Sequence, residues 1–539
     1  MSTDALEYHE RTKHSPKSVR SGGHGLNFEN KPTPYKEYVD RPSVAMADRI
    51  RPPQQPALSA IAEPISDGRL ESAGASRGGT EPTKPDFEAL TTLCYYAAGI
   101  TKTIERGGRP IPFRAAATTG ALYHVDLYAV CTDLEGLAAG VYHFDPRTLS
   151  LDVVREGEYR DVLARATNYE AVADAPLSIV TTSTWWRNAW KYGDRTFRHA
   201  FWDSGTTLAN LLSVAHGLEY RAEIVTGFAD EPVADLIGVD PAREAPLEIV
   251  PIGAGEDIPS SDGAYGVDPI DPETAPLSPN EREFPLIYDA WTAGTLADGD
   301  DAESWRSGRF AGETAPVGTR EPGDGERIPL EPVDHETASS RPLHRTIRRR
   351  GSCREYDREP ISFRKLSTVL DRAVRGVPMD VPRGGPLEDS ADGTGTDGGN
   401  PPLSFVDPYL IVNGVSGLEP GTYHYHPTAG ELERLREGEF RREASHLALD
   451  QRLGGDAAAC LYFLADLEAI VDAYGDRGYR IAQLEAAVTA GRLYLGTYAH
   501  RDLGGTGLTF YDDVVSDFFA PRSDGQTPMF LYTIGRPAP

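Results

Sequence analysis

Apolar and polar positions run through the same succession of patterns twice along this chain. An apolar stripe at helical spacing opens each round, as LTTLCYYAAGI from Leu90 and LSTVLDRAVRGV from Leu366. Short, mostly apolar runs follow, VDLYAV from Val125 and PYLIVN from Pro408, each leading through glycines into GVYHFDP or GTYHYHP. Runs of this length and composition read as strands, and the glycines between them as hairpin turns. A further strand (LSIVTTS, ACLYFLA), a helix around Tyr-Gly-Asp-Arg and a long apolar-faced helix come next. PLEIVPIG and MFLYTIG close the two rounds as strands. The pattern predicts an α+β fold, with mixed sheets flanked by helices.

The rounds are copies. GLAAGVYHFDP begins at Gly136 and GLEPGTYHYHP at Gly417, 281 residues apart, and the tyrosines of the two Tyr-Gly-Asp-Arg cores, Tyr192 and Tyr474, lie 282 apart. So little slip over such a distance implies a tandem duplication of a whole domain. Expected boundaries are residues 1–255 for the first domain with an N-terminal arm, 256–340 for an acidic Pro/Gly-rich linker with little core, and 341–539 for the second domain. By composition, 51–68 and 383–402 are expected to be solvent-facing loops. One difference between the copies stands out: Lys191 precedes the first tyrosine, Ala473 the second.

Charge narrows the class. With 54 basic and 82 acidic residues the formal net charge is −28. That excess opposes binding to nucleic acid or an anionic membrane, and it suits a salt-rich cytoplasm such as a halophile's. Four scattered cysteines form no CxxC pair, so neither a disulfide framework nor a zinc cluster is expected. The polar start MSTDALEYHERTKHSPKS shows no signal-peptide pattern, and no run approaches the roughly 20 apolar residues of a membrane span. A cytoplasmic protein is expected.

Three stretches carry candidate chemistry. HRTIRRRGSCREYD, residues 344–357, concentrates five arginines in an acidic chain. Its residues fit either a phosphate site of guanidinium forks with the Ser352 hydroxyl, or an exposed basic turn paired with carboxylates. Lys191 by itself reads as a surface residue of a helix. GGTGLTFYDD, 504–513, reads as a Gly-rich turn that lacks the lysine of a phosphate loop. His424 and His426 share a strand face without an evident third ligand, so no metal site is expected.

RRRGSCREYDREPISFRKLSTVL resembles the N-terminal signature of the nitroreductase superfamily, Arg-x-Ser-x-Arg followed by an aromatic residue, Pro-Ile-Ser and a helix. More narrowly, FRAAATTGALYHVDLYAV, GLAAGVYHFDP and WKYGDRTFRHAFWDSG resemble the SagB-type dehydrogenases, which oxidise thiazolines and oxazolines in ribosomal peptides to azoles. The resemblance implies a flavin mononucleotide (FMN) cofactor. Its phosphate would be gripped by Arg350, Ser352 and Arg354, with Arg536 as a further partner. Arg114, Thr118, Thr119 and Gly120 would form the cradle for the ring, and Gly505 and Gly507 would add backbone contacts. Thr118 stands where the family has serine, and Ala117 and His124 where it has prolines. The resemblance further implies a Lys191–Tyr192 pair as base and positioner, a lysine desolvated in its pocket, and a peptide or small-molecule substrate with a possible heterocyclase partner. Sites of this superfamily lie at a dimer interface. Here the first half keeps the cradle and the second the phosphate arm, which implies an intramolecular pseudo-dimer with one composite site.

Overall fold

The computed structural model describes residues 4–21, 25–62, 84–256, 258, 267–307, 320–334, 341–381 and 404–539. The expected loop at 383–402 lies outside them. Two antiparallel sheets organise the chain. The first contains β1 (Ser43–Ala45), β2 (Val125–Cys131), β3 (Gly140–Asp145), β4 (Ser150–Glu156), β5 (Leu177–Thr184) and β6 (Glu244–Ile252), in the order β1-β4-β3-β2-β5-β6. The second contains β7 (Glu326–Pro329), β8 (Asp407–Val412), β9 (Gly421–His426), β10 (Glu431–Glu437), β11 (Ala459–Ala465), β12 (Gly504–Leu508) and β13 (Thr527–Gly535). Its order, β7-β10-β9-β8-β11-β13-β12, repeats that of the first sheet and adds β12 at one edge. Central strands are buried along their whole length, which is why they read as continuous apolar runs rather than alternating ones.

Helices α1 (Ala5–Thr12), α2 (Trp185–Tyr192), α3 (Thr196–Gly217), α4 (Pro285–Ala293), α5 (Gly299–Arg306) and α6 (Gly478–Ala499) build the centre of the molecule. The long helices α3 and α6, one from each half, pack on each other and are buried almost throughout. Glycine sets their separation: a Cβ on Gly205 would lie 2.5 Å from the Cβ of Ala487, and one on Gly491 would collide with that of Ala209. The two contacts exchange roles across the interface, as in a two-fold dimer. The two halves thus form a pseudo-dimer within one chain, around a single large apolar core.

The segment expected as a bare linker departs from its composition. Within 256–340, α4 and α5 bury Trp291 and Trp305 to within 2% of full burial, and β7 joins the second sheet. Two tryptophans anchor a stretch whose average composition is that of a loop. Similarly, Leu58 and Ile61 of the expected loop at 51–68 are buried in the core. No helix among the described residues is long and apolar enough to cross a membrane.

Candidate active site

Strand β5 runs directly into α2, whose Trp186 and Trp190 face inward one turn apart. Their indole N–H groups donate to the Ser278 hydroxyl (2.9 Å) and the Asn27 carbonyl (3.0 Å). The helix stops at Gly193, whose φ of +56° suits glycine. Lys191 and Tyr192 therefore sit at the end of α2, on the wall of a cavity of about 450 Å³ between the halves.

That cavity gathers most of the predicted residues. Thr118, Thr119, Gly120, Lys191 and Tyr192 reach it from the first half, and Ser352, Arg354 and Gly507 from the second. The cradle is pinned from below. The Thr119 N–H and hydroxyl both donate to Asp203 (2.8 and 2.7 Å), which also meets His124 Nε2 at 2.9 Å. The Thr206 hydroxyl donates to the Ala117 carbonyl at 2.6 Å. Gly120 has φ +66°, and a Cβ there would lie 2.8 Å from the Tyr192 hydroxyl oxygen, so the tyrosine fits only over glycine.

Four predicted residues do not line the cavity. Arg114 is buried beside it, donating to the carbonyls of Pro34 (2.6 Å) and Val125 (3.4 Å) between the rings of Tyr35 and Tyr123. Arg350 donates through Nε and Nη2 to the carbonyls of Ala115 (2.8 Å) and Arg114 (2.9 Å), so it ties the second half to the backbone just before Thr118–Gly120. Arg536 pairs with Asp357 at 3.3 Å. Gly505 lies in β12, which is a strand paired with β13 and not the expected turn, and its carbonyl accepts from the Cys353 N–H.

Lys191 also departs from expectation. It is exposed at the mouth rather than desolvated, with Nζ 4.8 Å from the centroid of the Tyr192 ring. Residues that the sequence did not single out complete the wall: His14, His199, Trp202, Asp203, Tyr494, Thr509 and Phe530 among them. Comparing the copies at the 282-residue offset would have found three of them, because His199, Trp202 and Asp203 stand opposite Ile481, Leu484 and Glu485.

The donor set fits an anionic, ring-bearing ligand. Arg354 is exposed and makes no ion pair among the described residues. The hydroxyls of Thr118 and Thr509, both wall residues, are buried without a partner in the described structure. Such groups call for a hydrogen-bonding occupant. The rings of Trp202 and Phe530, packed edge to face with centroids 5.3 Å apart, line the same space.

The model of the Nitroreductase family matches residues 81–254. A Methanocaldococcus jannaschii protein named as a nitroreductase is 27% identical over 165 residues, which is 30% of this chain and 78% of that one. A crystal structure from Anabaena variabilis, also described as a nitroreductase, matches all of both chains with 26% identity and a TM-score of 0.73. The nitroreductase fold thus covers the second half as well as the domain matched by the family model.

Across the pseudo-two-fold, the described residues around Tyr474 pack against the chain itself. Ala473 and Tyr474, in the places of Lys191 and Tyr192, are buried, and the Trp305 indole donates to the Tyr474 carbonyl at 2.8 Å. Arg306 donates to the Gly227 carbonyl at 2.8 Å and lies 3.6 Å from Asp380. A Cβ on Gly227, the counterpart of Thr509, would lie 2.9 Å from the Arg306 guanidinium.

The His424–His426 pair has a third neighbour that the sequence did not show. Nitrogens of both histidines and a Glu433 oxygen lie within 4.8 Å of one another. These groups are engaged already: His424 with Asp407 (3.0 Å), His426 with Glu433 (2.9 Å), and Arg522 with both Glu433 (3.3 Å) and His424 (3.2 Å). The Arg522 guanidinium thus meets two of the three groups.

Proposed function

We propose that this protein is an FMN-dependent oxidoreductase with one composite site per chain, and that it oxidises azolines of a ribosomal peptide to azoles. One observation carries the reading: a single cavity joins Thr118–Gly120, Lys191 and Tyr192 of one half to Ser352, Arg354 and Gly507 of the other. Arg354 and Ser352 would hold the phosphate, and the cradle with Gly507 would hold the ring. Bound flavin supplies the hydride acceptor. Lys191 and Tyr192 would meet the substrate at the mouth, the Lys191 amine taking the proton lost by the azoline ring and Tyr192 orienting it. A tandem duplication accounts for the two-fold pattern. In it the second unit starts near Pro285, since α4 occupies the place of α1.

FMN content after purification in high salt tests this. One FMN per chain, with loss of binding in Arg354→Glu, is the expected result. Absence of binding even in excess FMN sinks the reading. The exposed Lys191 and the names of the two relatives favour a second reading, NAD(P)H-dependent reduction of nitro compounds or quinones. Rapid bleaching of the bound flavin by NAD(P)H, without turnover of a thiazoline peptide in air, selects it.

A further inference from the structure

Among the polar groups of the cavity, His199 has no part in the motifs or in the proposed chemistry. His199 is 2% exposed, on the α3 wall beneath Tyr192, and its ring meets the Tyr192 ring edge-on with centroids 4.8 Å apart. Its Nδ1 lies 2.9 Å from Asn188 Oδ1, which also accepts from the Thr196 hydroxyl at 2.9 Å. Nδ1 therefore carries the proton and Nε2 the lone pair. Nε2 has no hydrogen-bond partner among the described residues, although the ring lines the cavity. Burial and the nearby Arg195 hold the imidazole well below its ordinary titration range, so it stays neutral. The copy opposite has Ile481, which matches the loss of Lys191 at Ala473.

We infer that His199 contacts the bound cofactor, its Nε2 accepting a hydrogen bond from the imide N–H at the flavin ring's edge. This rests on the FMN reading above. A buried acceptor in the cavity wall faces the resident group, whereas the substrate arrives past the exposed Lys191. An acceptor-only nitrogen selects a ligand edge that donates, and it loses affinity for one that cannot.

The test is a binding titration of the apoprotein with FMN and with N3-methyl-FMN, followed by flavin fluorescence. Wild-type protein is expected to prefer FMN by about tenfold or more, the size of one buried hydrogen bond. His199→Ile, copying the opposite site, should bind FMN more weakly and lose the preference. A preference that survives in His199→Ile, or none in the wild type, overturns the inference while leaving FMN binding intact. Failure of the wild type to bind FMN at all overturns the cofactor reading and this inference with it. Nitrogen NMR of the unmutated protein gives a check that needs no variant. The His199 Nε2 signal should leave the bare-nitrogen region when FMN is added, and a stationary signal counts against the contact.

Discussion

Asp230 and Asp512 occupy matched positions in the two halves, and each is clamped by two arginines of the other half. Asp512 receives Arg198 at 2.6 Å and Arg195 at 3.2 Å, while Asp230 receives Arg480 at 2.7 Å and Arg477 at 2.5 Å. The pattern extends to the backbone. Arg198 and Arg195 donate to the carbonyls of His9 and Thr12 at 2.6 Å each, and Arg480 and Arg477 to those of Trp291 (2.6 Å) and Gly294 (2.8 Å), 282 residues on. The clamps thus hold α1 and α4 in equivalent places. The matching backbone bonds differ in what they carry: Asp512 accepts from the N–H of His14 (2.7 Å), which lines the cavity, and Asp230 from that of Leu296 (2.9 Å).

Removing either carboxylate leaves two buried guanidinium groups uncompensated, which costs about 3–5 kcal/mol. Asp230→Ala and Asp512→Ala should destabilise the protein alike in denaturant unfolding. Only Asp512→Ala should also weaken ligand binding, because it frees His14. The same carboxyl governs acid stability. Burial would raise its pKa, but Arg195 and Arg198 pull it well below the ordinary carboxylate value. Its contribution is therefore present above about pH 4 and is lost as the pH falls further. Asp512→Asn should flatten that acid limb.

Arg354 makes no ion pair among the described residues, whereas two carbonyls hold the Arg350 guanidinium. Arg354→Ala should reduce FMN affinity roughly tenfold to a hundredfold, the size of a charge-assisted hydrogen bond. Binding of riboflavin, which lacks the phosphate, should change little. Equal losses for both ligands would mean that Arg354 supports the fold of the arm instead. Arg350→Ala should lower affinity for both, because it releases the carbonyls of Arg114 and Ala115 and loosens the cradle.

How far the sequence reaches is clearest from these two arginines. Their spacing marks the arm, but a guanidinium finds its acceptor in three dimensions, and for Arg350 that acceptor is backbone 235 and 236 residues away. The buried strands and long helices were legible because their apolar runs exceed any loop's. The Lys191–Tyr192 pair and Thr118–Gly120 stand out only through the family resemblance, since Lys191 by itself reads as a surface residue of a helix. Helices α4 and α5 were not, since Asp, Glu, Gly and Pro dilute two tryptophans whose burial decides the matter. Strand β12 reads as a turn in the sequence because its glycines carry no strand propensity. Side chains of its neighbours fill that space, with Phe530 against Gly507 and the Tyr532 hydroxyl against Gly505.

Glu248 gives a pH dependence of opposite sign. It is fully buried on β6, and its carboxylate accepts from the hydroxyls of Thr181 and Ser204 (2.5 Å for Ser204). Burial pushes its pKa up to about 7, against which those two hydroxyls act only partly. The folded protein keeps a proton that the unfolded chain loses near pH 4.5, so stability falls as pH rises from there to about 7 and then levels off. Glu248→Gln copies the protonated form. Urea unfolding in high salt should show the variant near wild type at pH 4.5 and more stable by about 3 kcal/mol at pH 8. A constant difference across that range would place the titration elsewhere.

Trp305 tests whether the second site is closed by its own side chains. Its indole packs beside Tyr474 with ring centroids 6.1 Å apart, and lies 3.0 Å from a Cβ built on Gly227. Trp305→Ala removes one of the largest fully buried side chains and should cost about 3–5 kcal/mol. It should not add a second FMN, since opening the space restores none of the polar groups of the first site: Ala473, Ile481 and Leu484 still stand in place of Lys191, His199 and Trp202. Calorimetric titration of Trp305→Ala should therefore give the wild-type stoichiometry with a lowered melting temperature. Two FMN per chain in the variant would show that the plug alone, and not the loss of polar wall residues, keeps the second site empty.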